Sequence, residues 1–260
     1  MSDLSGTWTL VRFIGHRDRV RLLVWIASIV VLVAVTVPSI KGLFPTQGAL
    51  DKAAIASAAN EAVIVFNGPV QGLDTVGGQV AFQVGTATLV LVALMSLLMV
   101  TRCTRAEEES GRTELLRATP LGRHGELGAA LVVTAAMNIV VGGLITAVLI
   151  GQSLPFAGSL VFGASCVALG MFFVAVALTT AQVTENPRVA SGLAGAVLGA
   201  AFMLRALGDV GDGRLSWLSP IGWSQKARPF AGEQWWPLLV PLALVVGFLY
   251  LALVQRRVSP

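Results

Sequence analysis

The densest set of ionisable side chains in the sequence lies in "TRCTRAEEESGRTELLRATPLGRHGELG", from Thr101 to Gly128. This segment holds five glutamates and five arginines in a chain of which only 12% is charged. Three pairs of opposite charge stand at helical spacing: Arg105 with Glu109, Glu108 with Arg112, and Glu114 with Arg117. Each such pair adds about 0.2–0.5 kcal/mol to a helix. The spacing predicts two short helices, separated at Gly111 and ended by Pro120.

Leu115 and Leu116 lie side by side on the second of these helices, surrounded by charges. Two adjacent apolar side chains in a charged segment favour contact with a partner protein, because the chain has little other mass there to cover them. The alternative is that the charges only solvate a loop between two apolar segments.

Sequence patterns that would indicate catalysis are missing. A phosphate-binding loop needs Gly-Lys followed by Ser or Thr, but the three lysines precede Gly42, Ala53 and Ala227. His16 and His124 belong to no His-Glu-x-x-His helix, and Gly-x-Ser-x-Gly is absent. We therefore predict no catalytic residue, no metal site and no cofactor bound by this chain.

The apolar composition surrounding the charged segment indicates a membrane protein. Mean hydropathy is +0.78 and 55% of the residues are hydrophobic. An apolar run of about 20 residues crosses the hydrocarbon core of a bilayer. The runs predict an all-α polytopic membrane protein with six transmembrane helices at about 22–40, 82–101, 127–150, 156–182, 189–208 and 236–255.

Basic residues fix the predicted orientation, because Lys and Arg near span ends remain cytoplasmic. With both termini inside, twelve arginines fall on the cytoplasmic side and five basic residues outside. The predicted parts are a cytoplasmic N-terminus with an interfacial amphipathic helix (1–21), a transmembrane domain (22–255) and a cytoplasmic tail (256–260). Within the domain lie a cytoplasmic loop (102–126) and outer loops (41–81 and 209–235). The outer segment 41–77 either caps the outer mouth or simply connects two spans.

The net charge of +4 does not indicate nucleic-acid binding, since most basic residues stand at membrane boundaries. We expect the lipid bilayer as the surrounding partner. Cys103 and Cys166 are interpreted as buried thiols.

Polar and small residues inside the predicted spans have structural interpretations. Arg205 is expected to pair with Asp209 one turn later. Asn138 is expected to hydrogen-bond between helices or to line a substrate path. The fifth span carries a stripe of small residues, Ser191, Gly195 and Gly199. Such a stripe lets another helix pack closely, either within this half or from a second half. Headgroup anchors in the last outer loop are Trp217, Trp223, Trp235 and Trp236.

Two segments carry a resemblance to a known family. "RAEEESGRTELLRATPLGR" resembles the cytoplasmic loop of ABC-2-type (type V) exporter permeases. "LSWLSPIGWSQKARPFAGEQWWPLLVPL", from Leu215 to Leu242, is similar to the last outer loop and final helix of the actinobacterial polyketide or tetronasin antibiotic exporters. Members of that branch usually carry two six-helix halves, and this chain is expected to supply one.

The resemblance implies the transmembrane subunit of an ATP-binding cassette exporter in the plasma (inner) membrane, which moves amphiphilic antibiotics or lipid-like molecules outward. ATP and Mg²⁺ would bind a separate cytoplasmic ATPase, seated on a coupling helix. A second six-helix half would come from a homodimer, a continuation of the chain or a separate subunit. The residues implied for coupling are Glu107, Glu108, Gly111, Arg112, Glu114, Leu115, Leu116, Arg117, Pro120 and Arg123. The alternatives are an ion- or proton-coupled secondary carrier and a non-transport membrane assembly protein.

Overall fold

The computed structural model describes residues 7–109, 125–184 and 186–258, and within these ranges the chain is helical with no β-strand. This confirms the predicted all-α class. The helices are α1 (Thr7–Arg17), α2 (Arg19–Leu43), α3 (Gln47–Ala58), α4 (Glu61–Asn67), α5 (Val76–Glu109), α6 (Gly125–Gly151), α7 (Phe156–Val183), α8 (Pro187–Val210), α9 (Pro220–Lys226) and α10 (Leu239–Val258). Short 3-10 turns cover Leu215–Leu218 and Trp236–Leu238.

Five of the described helices are long and apolar enough to cross a bilayer. Their spanning parts are Arg19–Leu43, Val76–Thr104, Gly128–Gly151, Phe156–Gln182 and Arg188–Val210. A sixth apolar stretch, Trp236–Phe248, is shorter in the described residues and continues as helix to Val258. The chain is therefore a polytopic membrane protein, and six spanning helices remain a prediction.

Helices α5 and α7 form the centre of the bundle. In the most apolar 18-residue stretch of α5, 72% of the residues are buried inside the protein, and in that of α7 78% are buried. In the corresponding stretches of α2, α6 and α8, between 22% and 44% of the residues are buried. The apolar surface of these outer helices faces away from the protein, as is expected of helices that contact lipid.

The crossing of α6 and α7 depends on glycines at the contact. A methyl group on Gly142 would overlap the carbonyl of Gly163, and a methyl group on Gly163 would overlap that of Gly142. Helices in a membrane gain stability from such close backbone approach, because van der Waals packing is a main attraction between them there.

A buried hydrogen bond joins α5 to α6. The Asn138 side-chain amide donates to Ser96 Oγ at 3.0 Å and to the carbonyl of Thr134 at 2.9 Å. Asn138 Oδ1 lies directly over Gly170 of α7. This confirms the predicted interhelical hydrogen bond, which satisfies a polar group inside the membrane.

Helix α1 and the first outer loop have details that the sequence analysis did not predict. Helix α1 buries Leu10 and Ile14, while Trp8 on its other face is exposed. The first outer loop forms α3 and α4, each capped by a side chain, Thr46 and Asn60 respectively. The chain then breaks at Gly68, whose φ is 118°.

The helix that contains the second predicted span continues into the charged segment. Helix α5 continues through Glu109, so Glu107 and Glu108 belong to its last turn instead of a separate short helix. No Gly or Pro lies between Thr101 and Gly111, and the helical spacing of Arg105 and Glu109 supports the extension of the helix. The other predicted coupling residues, Gly111, Arg112, Glu114, Leu115, Leu116, Arg117, Pro120 and Arg123, lie outside the described residues.

We predict that Gly170→Ala destabilises the bundle, because the new methyl group would displace Asn138 from Ser96. Overpacking of this kind costs about 1–3 kcal/mol. Gly143→Ala on α6 is the matched control, since nothing lies within 4 Å of a methyl group there. Thermal unfolding in one detergent should show a lower midpoint for Gly170→Ala only. Equal midpoints for the two variants would contradict the close contact.

Candidate functional site

The short helix α9 is a buried element at the end of the bundle where α4 also ends. Ser219 caps it by accepting a hydrogen bond from the backbone N–H of Gly222, and Pro220 occupies its first position. All five residues from Pro220 to Ser224 are buried. The Ser219 hydroxyl also donates to the carbonyl of Ala201 at 2.6 Å, which attaches the start of α9 to α8.

Two further sets of hydrogen bonds attach α9 to the central helices. Ser165 Oγ of α7 donates to the carbonyl of Ser224 at 3.2 Å, and Ser224 Oγ donates back to the carbonyl of Ser165 at 3.5 Å. Gln225 Nε2 donates to Thr86 Oγ1 of α5 at 2.8 Å. Helix α9 is therefore held by α5, α7 and α8 through side chains that carry no charge.

Arg205 lies fully buried in α8, with 0% of its surface exposed. Its Nη1 donates to Asp209 Oδ2 at 3.4 Å, which confirms the predicted pairing. The same nitrogen donates to the carbonyl of Val65 at 3.0 Å, and the guanidinium lies 4.8 Å from the Phe202 ring centroid. Ser216 Oγ completes the cluster by donating to Asp209 Oδ1 at 2.7 Å.

The contact between Arg205 and α4 was not predicted from the sequence. The guanidinium approaches three successive carbonyls at the end of this helix, those of Ile64, Val65 and Phe66. A cation is favourable there, because the last carbonyls of a helix lack partners within it. Arg205 therefore fixes the first outer loop to the bundle.

The tryptophans of the last outer loop fall into two environments. Trp217 stacks on Trp236 with ring centroids 5.1 Å apart, and Lys226 Nζ lies 4.8 Å from the Trp217 centroid. Trp235 and Trp236 are about half exposed. Trp223 differs from the expected headgroup anchor, because only 8% of it is exposed and it packs edge-on against Phe172.

The small-residue stripe on α8 lies beside its buried face. Nothing lies within 4 Å of a methyl group placed on Gly195 or Gly199. The buried residues in the same part of this helix are instead Ala190, Ala194, Leu198 and Ala201. In the described part of the chain, therefore, no other helix packs on Gly195 and Gly199. Packing of the Ser191, Gly195 and Gly199 stripe against a second half remains a prediction.

A second buried charge lies at the opposite end of the bundle. Asp18, between α1 and α2, accepts hydrogen bonds from Arg102 Nε of α5 at 2.8 Å and from Arg17 Nε at 3.0 Å. Burial raises the pKa of Asp18, but these hydrogen bonds and the two positive charges outweigh burial and hold the pKa below its usual value. The ion pair joins α1 and α2 to α5 at the start of the charged segment.

These two clusters suit positioning rather than catalysis. Across residues 7–109, 125–184 and 186–258, no three His, Cys, Asp or Glu side chains converge to hold a metal ion. The Asp18–Arg102 ion pair joins the start of α2 to α5, whereas the Arg205–Asp209 ion pair lies within α8 and Arg205 reaches α4 through hydrogen bonds to its carbonyls.

Comparison with known proteins identifies related permeases. A family model described as "Multidrug efflux system permease Rv1217c, C-terminal domain" matches residues 11–257. The chain is 41% identical over 253 residues to the multidrug efflux system permease protein Rv1217c of Mycobacterium tuberculosis (strain ATCC 25618 / H37Rv). The alignment covers 96% of this chain and 46% of that protein, so the chain spans about half the length of the curated relative it matches.

We predict that Arg205→Met destabilises the protein strongly and releases α4, because it leaves Asp209 buried without its cation. Removing one partner of a buried ion pair costs about 3–5 kcal/mol. Arg214→Met is the matched control, since Arg214 pairs with Asp212 on an exposed surface, where such pairs contribute little. Thermal unfolding and limited proteolysis of the α3–α4 segment would measure both effects. Similar behaviour of the two variants would contradict this role of Arg205.

Proposed function

The chain belongs to the family of multidrug efflux system permeases that the matching C-terminal domain model describes, and on that premise we propose that it is the transmembrane subunit of an ATP-driven exporter. The observation that carries the proposal is the family match over residues 11–257, which includes every described spanning helix. The fold agrees with this function, because its polar groups connect helices instead of forming a reaction centre.

Energy would come from a separate cytoplasmic ATPase that binds ATP and Mg²⁺. The support is the charged segment, which begins within α5 and resembles the coupling loop of ABC-2-type permeases, with Leu115 and Leu116 as the proposed apolar contact. Helix α5 extends to Glu109 and so reaches directly into this segment. The Arg102–Asp18 ion pair holds the base of the segment against α1 and α2.

The proposed location is the plasma (inner) membrane with both termini in the cytoplasm. The distribution of arginines supports this orientation, because the ends of the helices beside Arg102 and Asp18 carry most of the positive charge. In this orientation α3, α4 and α9 lie on the outer side.

A working exporter of this kind would contain two six-helix halves, so that each ATPase domain has its own docking segment. The second half would be another copy of this chain, a further part of a longer chain or a separate subunit. The relative's greater length is compatible with a two-half arrangement. The uncovered stripe of Ser191, Gly195 and Gly199 is a proposed part of the contact between halves.

The proposed cargo is amphiphilic, such as antibiotics or lipid-like molecules, and it moves outward. The name of the relative describes multidrug efflux. The likeness of Leu215–Leu242 to polyketide and tetronasin exporters points to the same chemical class.

We predict that Glu114→Arg combined with Leu115→Asp uncouples the ATPase without preventing membrane insertion. The first substitution reverses a charge of the proposed docking helix, and the second places a charge at its apolar contact. Asp51→Arg with Ile55→Asp is the matched control on the exposed surface of α3. The complex purified gently from its native membrane should contain an ATPase. Its drug-stimulated ATP hydrolysis should fall at least tenfold in the first variant alone.

Two results would overturn the coupling assignment. One is reproducible purification of active transporter without any ATPase. The other is unchanged drug-stimulated hydrolysis in the Glu114→Arg, Leu115→Asp variant.

The orientation has its own test in a background that lacks Cys103 and Cys166. Single cysteines at Ser110 and at Ala58 should differ in reaction with a membrane-impermeant thiol reagent on intact cells. We expect labelling at position 58, which is exposed on α3, and none at position 110. Labelling at 110 would place the charged segment outside the cell.

A further inference from the structure

A cavity of about 350 Å³ lies between the end of α2 and helices α3, α4 and α5. Its volume falls in the range of small-molecule sites, which is roughly 300–1,000 Å³. Helix α3 buries only Leu50, and α4 buries none of its residues, so the side chains of these two helices leave the space open.

The helices around the cavity are held in position by contacts outside it. Gln47 Nε2, at the start of α3, donates to the carbonyl of Asp74 at 2.8 Å. Arg205 binds the carbonyls at the end of α4. The Thr86 hydroxyl of α5 donates to the carbonyl of Asn67, just where α4 ends. A ligand would therefore meet walls that are already formed, which lowers the ordering cost of binding.

Each of the three helices presents one polar and one apolar side chain to the cavity. These side chains are four positions apart on α3 and on α4 and adjacent on α5: Ala53 and Ser57, Val63 and Asn67, and Phe82 and Gln83. Among the described residues, the side chains of Ser57, Asn67 and Gln83 have no hydrogen-bond partner. Hydroxyl and amide groups both donate and accept, so the three together suit a ligand with several hydroxyl groups.

The remaining features of the wall restrict the ligand further. No described residue that lines the cavity carries a charge. A charged ligand would therefore lose its hydration without gaining an opposite charge. Phe44, at the end of α2, and Phe82 supply aromatic surface against which an apolar group can pack.

We propose that this cavity is a binding site for uncharged amphiphiles with a polyhydroxyl headgroup, such as alkyl glycosides. The hydroxyl groups bind Ser57, Asn67 and Gln83, and the apolar part packs against Phe44 and Phe82. Every wall belongs to one chain, so the site requires neither a second half nor an ATPase.

The test uses four photoreactive probes with the same octyl chain, which carries a diazirine next to the headgroup. The headgroups are glucose, a single hydroxyl, sulfate and trimethylammonium. The full chain is reconstituted in lipid nanodiscs, labelled, and mapped by peptide mass spectrometry. We expect saturable labelling of residues 53–67 and 79–83 by the glucoside, at least fivefold above each of the other probes.

The same headgroup occurs in glycolipids of a bilayer and in soluble glycosides, and two competitors separate these sources. Competition by water-soluble methyl glucoside would assign the site to free glycosides. Competition by octyl glucoside alone would assign it to molecules held in the bilayer. Failure of both competitors would overturn the proposal.

Two variants probe the site by separate routes. Ala53→Phe should reduce labelling at least fivefold by filling the cavity, and its control is Ala56→Phe, which is exposed on α3 and does not line the cavity. Gln83→Leu should reduce labelling about fivefold through the lost hydrogen bond. Its control is Gln234→Leu, which removes an amide that lies outside the cavity wall.

Equal labelling by all four probes, preference for the alcohol or for a charged probe, or full labelling of Ala53→Phe would also overturn the proposal. Where Ala53→Phe lowers the unfolding temperature, Gln83→Leu decides alone, because that side chain is exposed and holds no other residue. These measurements involve neither ATP hydrolysis nor transport, so their failure is distinguishable from failure of the proposed exporter function.

Discussion

A polar group inside a bilayer must find its partner within the protein, because hydrocarbon offers none. Helix α9 would not be stable in the outer part of the bundle without Ser219, Ser224 and Gln225, which bind α8, α7 and α5. The same requirement explains Arg205, whose charge is matched by Asp209 and by the carbonyls at the end of α4. These hydrogen bonds thus position both the outer loop and the buried short helix.

The continuous helix α5 connects this outer network to the opposite end of the protein. Its 34 residues span about 50 Å at 1.5 Å per residue. Thr86, in the first half of the helix, accepts a hydrogen bond from Gln225, and Arg102, near its other end, donates one to Asp18 at the start of the charged segment. If the charged segment docks an ATPase, as we propose, a displacement there acts on a helix that also holds α9 through Thr86.

The sequence predicted features that depend on neighbours along the chain. The apolar runs located the helices, and the pairing of Arg205 with Asp209 follows from one helical turn. Contacts between distant segments gave no such signal: 84 positions separate Asp18 from Arg102, and 140 separate Arg205 from Val65. Trp217 and Trp223 lie in the same loop segment, yet only the structure shows that Trp223 packs against Phe172.

Glycine patterns show why packing partners cannot be assigned from spacing alone. Gly142 and Gly163 do not form an obvious stripe, yet each lies against the other's backbone across the α6–α7 contact. Gly195 and Gly199 do form one, together with Ser191, and they meet nothing within 4 Å. On a face that contacts only lipid tails, a larger apolar residue would serve as well as a small one. Each glycine also weakens its helix by about 0.5–1 kcal/mol relative to alanine. A second six-helix half that approaches closely along α8 would offset that cost, so this face of α8 is where the proposed contact between halves is best sought.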